Sequence, residues 1–280
     1  MARKMDEQAK QCIEIPVIPR IRGWFSSHDS LVFHWFLSSP NLDSQASGIL
    51  EIGTFEGKSA AFLSNYLKPR ERFVVCDIFS LKSDELNDLE NSRSYPNFGL
   101  DSFMINMERY ARKTPEVIVS DSARLQASEL GSNFRFIHLD GSHLFDHISK
   151  DLDLAIQMID SENGVVAIDD FRAAHTPGVS AAIWQQIVNE KLTPVVITGT
   201  KMYCMRNSKR FRKSEFIDFL DQNGTKFEIE HFMSMDVVRI YGESDNEIFE
   251  DFDPSVKSTA KKILRNSIPP FLLHLLKKWF

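Results

Sequence analysis

The chain is poor in cysteine, with only Cys12, Cys76 and Cys204 among its 280 residues. Three such scattered thiols exclude a disulfide framework or a structural zinc site. Cys76, inside an apolar run, reads as a small buried hydrophobe. No apolar run reaches the roughly 18 residues that span a bilayer. The opening stretch MARKMDEQAKQCIEIPVIPR lacks the apolar core of a signal peptide, so the expected location is reducing and cytoplasmic. Positive charge is also short: a formal net charge of -6 argues against a general nucleic-acid binder. At this length the chain can bury one α/β core with extensions.

Against these absences, residues 48–59, GILEIGTFEGKS, stand out. An apolar run, Gly48-Ile49-Leu50, leads to Glu51. Gly53 and Gly57 follow with three residues between them, and Ser59, Ala60, Ala61, Phe62 and Leu63 then turn helical. A strand, a glycine turn and a helix start form a pocket where a ligand lies against bare backbone. The acid at the strand end suits the polar groups of a nucleotide cofactor.

Pro16 and Pro19 make residues 1–22 an extended arm. Residues 23–40 read as an aromatic-rich helix capped by Asp29 or Ser30. Strands are expected at Ile49–Gly53, Phe73–Ile78, Glu116–Ser120, Phe134–Leu139, Val165–Ile168 and Pro194–Thr198. Helical spacing falls between them in Ser59–Tyr66, Asp101–Lys113, Ser122–Glu129, His147–Ile159 and Gly178–Glu190. Short strands apolar on both faces indicate a parallel sheet covered on both sides. Lys201–Arg206 and Lys226–Tyr241 read as later strands, the second a hairpin, with a helix at Ser214–Gln222. The expected organisation is an arm (1–22), a main domain (23–242), and a linker with a basic amphipathic tail (243–280).

Ligands bind beyond the carboxyl ends of strands in such a sheet, and here those ends are acidic. They carry Glu51, Asp77, Asp121 followed by Ser122, Asp140, and the pair Asp169-Asp170. Asp77 is placed either to hold ribose hydroxyls or to cap the next helix. Asp140, Asp169 and Asp170 would repel one another if left unpaired. A hard divalent cation with oxygen ligands resolves that repulsion. The alternative is one helix cap and one pairing with Arg172 or a lysine. His143, past Gly141, is aimed at the same cleft, as a general base or as a structural histidine.

Together these pieces resemble class I S-adenosylmethionine-dependent methyltransferases. EIGTFEG fits their E/D-x-G-x-x-x-G signature and departs from the G-x-G-x-x-G of nicotinamide-binding folds. Within the class, IHLDGSH, then VVAIDDF and TPGVSAAIWQQI, is similar to the metal-dependent O-methyltransferases that include macrocin and mycinamicin sugar methyltransferases. The likeness covers roughly residues 23–206. It implies an α/β fold: a Rossmann-like, seven-stranded, mostly parallel sheet with helices on both faces. It implies S-adenosyl-L-methionine and Mg²⁺, or another hard divalent cation, as cofactors, and a small-molecule or glycan acceptor with a sugar hydroxyl. Glu51, Gly53, Thr54, Gly57 and Ser59 would then line the methionine and ribose portion. Asp77 would hold the ribose, and Asp121 and Ser122 would lie near the adenine. Asp140, also beside the cofactor, would bind the cation with Asp169 and Asp170, and His143 would be the base.

Other segments stay open. Ser80–Leu100 is polar and reads as a cover over the acceptor or as a disordered insertion. Trp24, Phe25, Phe33, Trp35 and Phe36 supply a stacking wall or a helix packed on the sheet. Arg206, Lys209, Arg210, Arg212 and Lys213 form an acceptor-phosphate site or a solvated loop. The tail KKILRNSIPPFLLHLLKKWF suits peripheral membrane contact, or docking on the domain or on a second subunit in a homo-oligomer. Two other functions fit: a cephalosporin hydroxylase-like metal enzyme, and a non-catalytic binding protein of the same fold. The clustering of Asp140, His143, Asp169 and Asp170 argues against the scaffold.

Overall fold

Gly48–Ile52 is apolar on both faces but for Glu51, and it forms a strand buried along its whole length. A computed structural model describes residues 14–38, 48–82, 84, 86, 88–89, 99–131 and 133–244. Its elements run α1 (Ser27–Ser38), β1 (Gly48–Ile52), α2 (Lys58–Leu63), β2 (Arg72–Asp77), α3 (Leu100–Tyr110), β3 (Glu116–Val119), α4 (Ala127–Leu130) and β4 (Phe134–Leu139). They continue α5 (Phe145–Met158), β5 (Val165–Ile168), α6 (Pro177–Val188), β6 (Thr193–Ile197), β7 (Met202–Met205), α7 (Lys213–Gln222), β8 (Phe227–Phe232) and β9 (Met235–Ile240).

One nine-stranded sheet has the order β3-β2-β1-β4-β5-β7-β6-β9-β8. Strands β3 to β5 run parallel across the first half. β7 runs antiparallel between β5 and β6, and β9 joins β6 in parallel with β8 folded back on it. The β8–β9 pair is the hairpin expected at Lys226–Tyr241, and with it the sheet has nine strands where the resemblance implies seven. Central strands β1, β4, β5 and β7 are fully buried, whereas the edge strands β3 and β8 are partly open.

Side-chain alternation divides the core between the two faces. Phe33, Phe62, Phe103 and Phe216, from α1, α2, α3 and α7, pack on the face that presents Ile49, Val75 and Phe136. Leu152, Ala155, Ile183 and Ile187, from α5 and α6, cover Leu50, Ile137 and Val166 on the other. The aromatic stretch thus splits. Phe25, Phe33 and Phe36 enter the core, Trp35 packs on Phe216 and Phe219, and Trp24 stays half exposed.

Two local expectations are corrected. Ser122–Glu129 is a 3-10 turn, Ser122–Arg124, and the short α4, because Asp121 caps the turn at the Ala123 N–H and the chain re-extends at Leu125. The cap of α1 is Ser26. Its hydroxyl accepts the Asp29 N–H at 3.0 Å and donates to Asp29 Oδ2 at 2.6 Å. The Asp29 carboxylate is buried and also accepts bonds from Thr198, Thr200 and Tyr203 at 2.7–2.8 Å, tying α1 to the β6–β7 turn.

Among the described residues no helix is long and apolar enough to cross a membrane. The readings of the tail from 245 onward, of most of Ser80–Leu100 and of the first 13 residues lie outside the described residues.

Candidate active site

The strand order reverses between β1 and β4, and a cleft of about 460 Å³ opens there beyond the carboxyl ends of β1 to β5. Its walls include Gly53, Thr54, Ser59, Asp77, Asp121 and Ser122, together with Asp140, His143, Asp169 and Asp170. That volume lies within the range of small-molecule sites.

The glycine loop is held from below. Gly53 has φ +79°, and a Cβ there would lie 2.0 Å from the Asp140 carbonyl oxygen, so only glycine lets the two strand ends meet. Gly57, φ +89°, backs onto Met107 and Phe103 and is not a cleft wall. Asp77 fastens the loop: its Oδ2 accepts the N–H groups of Thr54 and Phe55 at 2.7 and 3.0 Å, and its Oδ1 accepts that of Phe79 at 2.7 Å. Burial pushes the Asp77 carboxyl up, and these N–H groups pull it back. A carboxylate oxygen has two acceptor directions, and Oδ1 accepts this one backbone N–H among the described residues.

Glu51 does not line the cleft. It is fully buried, accepts the Thr54 hydroxyl at 2.8 Å, and pairs with His138 Nδ1 at 2.7 Å. Register explains this: Glu51 and His138 are partners across the β1–β4 pair, on the same face.

Ligand atoms of His138, Asp140 and Asp169 all lie within 4.8 Å of one another. Asp170, in a left-handed conformation at φ +55°, is not part of this group, and its Oδ2 meets His143 Nε2 at 2.6 Å. The acids expected as one set thus divide into a cluster with His138 and a dyad with His143. Burial, then the charge of Asp169, push Asp140 well above the carboxylate range, against the pull of Lys201. Burial acts the same way on Asp170, but the hydrogen bond and charge of His143, with Lys201 and His175, bring it below its ordinary value.

Several neighbours of the site were not foreseen. Lys201, in the β6–β7 turn, hydrogen-bonds Asp169 through its ammonium and is 1% exposed. Burial favours its neutral form, but Asp169, Asp140 and Asp29 outweigh it and hold the lysine charged. Arg22 pairs with Glu56 at 2.6 Å and lies over the Phe55 ring, and it lines the cleft with Trp24. Lys58 donates to the Gly23 carbonyl at 2.9 Å. His175 stands edge-on to His143 with ring centroids 6.2 Å apart. Strand alternation around Asp140 was a signal for His138; nothing local marks Lys201 or Arg22.

Residues 50–171 match a family model described as a methyltransferase domain. No curated protein matches the chain. Among solved structures, the O-methyltransferase NovP superposes with a TM-score of 0.50 at 11% identity, covering 64% of this chain and 80% of that one. An O-methyltransferase from Bacillus cereus in complex with SAH gives 0.43 at 19% identity, covering 68% and 84%. CalS11, a TDP-rhamnose 3'-O-methyltransferase in calicheamicin biosynthesis, gives 0.44 at 15%, covering 64% and 80%. The domain match, the strand order and the likeness to NovP give the chain a class I S-adenosylmethionine methyltransferase fold.

Proposed function

We propose that the chain transfers a methyl group from S-adenosylmethionine to a hydroxyl of a sugar, a glycosylated small molecule or a glycan, with a divalent cation at the acidic end of the cleft. One observation carries this reading: Asp140 and Asp169 stand together beside the His143–Asp170 dyad, in the same cleft that Asp77 lines. When bound, the cofactor supplies an electrophilic methyl carbon and the cation supplies positive charge toward the acceptor oxygen.

The chain's own groups do the rest. Asp77 keeps the glycine loop in shape and offers Oδ1 to the ribose. Asp121 and Ser122 bound the adenine end, and Thr54 and Ser59 lie along the wall between. Asp140 and Asp169 hold the cation, with Asp169 fixed by Lys201 and by the Asp170 N–H, which it accepts at 2.8 Å. His143 takes the proton of the acceptor hydroxyl. The Asp170 carboxylate, which meets its Nε2, balances the imidazolium that forms. General-base help of this kind is worth about 10²–10⁴-fold.

The test is incubation with methyl-labelled S-adenosylmethionine and a panel of nucleotide sugars, glycosides and glycans, read by mass spectrometry. The expected result is one labelled methyl on an acceptor hydroxyl, lost in chelator and restored by Mg²⁺ or Mn²⁺. Cofactor binding without methyl transfer to any oxygen would overturn the activity, and full turnover in chelator would remove the cation.

A further inference from the structure

The cluster beside the cleft holds a nitrogen that an all-oxygen cation site does not use. His138 is fully buried, with Phe33 edge-on to its ring at 5.2 Å. Its Nδ1 lies 2.7 Å from Glu51 Oε1. A carboxylate accepts and does not donate, so Nδ1 carries the proton and Nε2 presents its lone pair. That Nε2 is buried and has no hydrogen-bond partner among the described residues. It points to Asp140, whose Oδ2 lies 3.9 Å away, too far for a hydrogen bond. A lone pair facing Asp140 and Asp169 is left unpaired unless a proton or a cation lies between them.

The spacing suits an ion. Bonds of about 2.0–2.2 Å to one cation place two ligand atoms up to about 4.2 Å apart. The 3.9 Å separation falls inside that limit, and closing the 4.8 Å group needs only small side-chain shifts. A carboxylate that orients an imidazole by one nitrogen while the other faces a metal is a recurring support for metal-bound histidine. Glu51 occupies that place, steadied by the Thr54 hydroxyl.

We infer that His138, through Nε2, is a ligand of the cation held by Asp140 and Asp169, and that this N,O,O set takes a first-row transition dication such as Mn²⁺, Fe²⁺, Co²⁺ or Zn²⁺ in preference to Mg²⁺. The inference rests on the reading of Asp140 and Asp169 as a cation site. Imidazole favours transition ions, whereas carboxylate and water oxygens suit Mg²⁺. Glu51, read from the sequence as a cofactor contact, becomes the residue that positions the ligand. Lys201 shares Asp169 with the ion and keeps part of the negative charge balanced when the ion is away.

Mn²⁺ is the probe. The full chain, free of acceptor, is titrated with Mn²⁺ and studied by pulsed electron paramagnetic resonance, once with natural histidine and once with ¹⁵N-histidine. The expected result is one bound Mn²⁺ with a nitrogen coupling that changes with the label. The coupling survives in His143→Gln and disappears in His138→Gln, and Mg²⁺ displaces the ion only at an excess of about tenfold or more. The labelled wild-type protein keeps the test valid if His138→Gln does not fold. A bound Mn²⁺ without histidine coupling, a coupling lost in His143→Gln, displacement by equimolar Mg²⁺, or no Mn²⁺ binding would each overturn the inference. Calorimetric titration of the same samples with S-adenosylmethionine reads the cofactor site separately, so failure of the ligand assignment is distinguishable from failure of the proposed activity.

Discussion

The ammonium of Lys201 is hydrogen-bonded to Asp169 where the two side chains are only 1% and 11% exposed. Removing one partner of a buried pair leaves the other charge uncompensated, at a cost of about 3–5 kcal/mol. Lys201→Met, close in volume, is therefore expected to unfold at clearly lower urea than wild type. Millimolar Mn²⁺ should recover more stability in the variant than in wild type, because the ion supplies the missing positive charge. Equal shifts in urea titrations with and without Mn²⁺ would show that the lysine and the ion do not share Asp169.

Asp170→Asn replaces the carboxylate that meets His143 Nε2 at 2.6 Å. The amide keeps the shape but no longer balances the imidazolium. Methyl transfer is expected to fall by about 10²-fold, with cofactor affinity within about twofold of wild type because Asp77 and the glycine loop are untouched. Single-turnover rates alongside calorimetry check this, and an unchanged chemical step would detach the dyad from proton transfer.

Asp77→Ala strands the Thr54, Phe55 and Phe79 N–H groups. With about 1–3 kcal/mol for each buried donor left unsatisfied, the loop should loosen and cofactor binding should be lost. Hydrogen exchange at Thr54 and Phe55 is the direct readout. Protection equal to wild type would mean that the carboxylate does not hold the loop.

Asp151 on α5 is buried, and neither carboxyl oxygen has a hydrogen-bond partner among the described residues. Burial pushes its pKa up from 3.8 to about 6, against the pull of the nearby Ser122 and His147. The folded state therefore binds this proton more tightly than the unfolded chain does. Its contribution is full below about pH 4 and is lost as pH rises through about 6, a change of about 3 kcal/mol. Asp151→Asn should gain on wild type by that order between about pH 4 and pH 7 in parallel urea titrations. Parallel stability curves would refute the shift.

The sequence made the sheet legible because its signals are local: short apolar runs, helical spacing and acids at strand ends. Asp77, Asp140 and Asp169 could be placed at the cleft because strands β2, β4 and β5 each deliver their last residues to one edge. What was hidden depends on parity and on distance along the chain. An acid at a strand end faces the ligand or the core according to which side of the pleat it occupies, and Glu51 falls on the side of His138. Lys201 reaches Asp169 only because β7 runs back beside β5, a pairing that no local pattern announces. Asp170 meets His143 from a left-handed backbone, a conformation that sequence spacing does not reveal.

Asp29 has a consequence for movement. Ser26 grips it just after Arg22 and Trp24, and Thr198 and Thr200 grip it just before Lys201. The segment that carries Arg22 and Trp24 and the turn that carries Lys201 thus meet at a single carboxylate, so a change at Asp29 would loosen both at once.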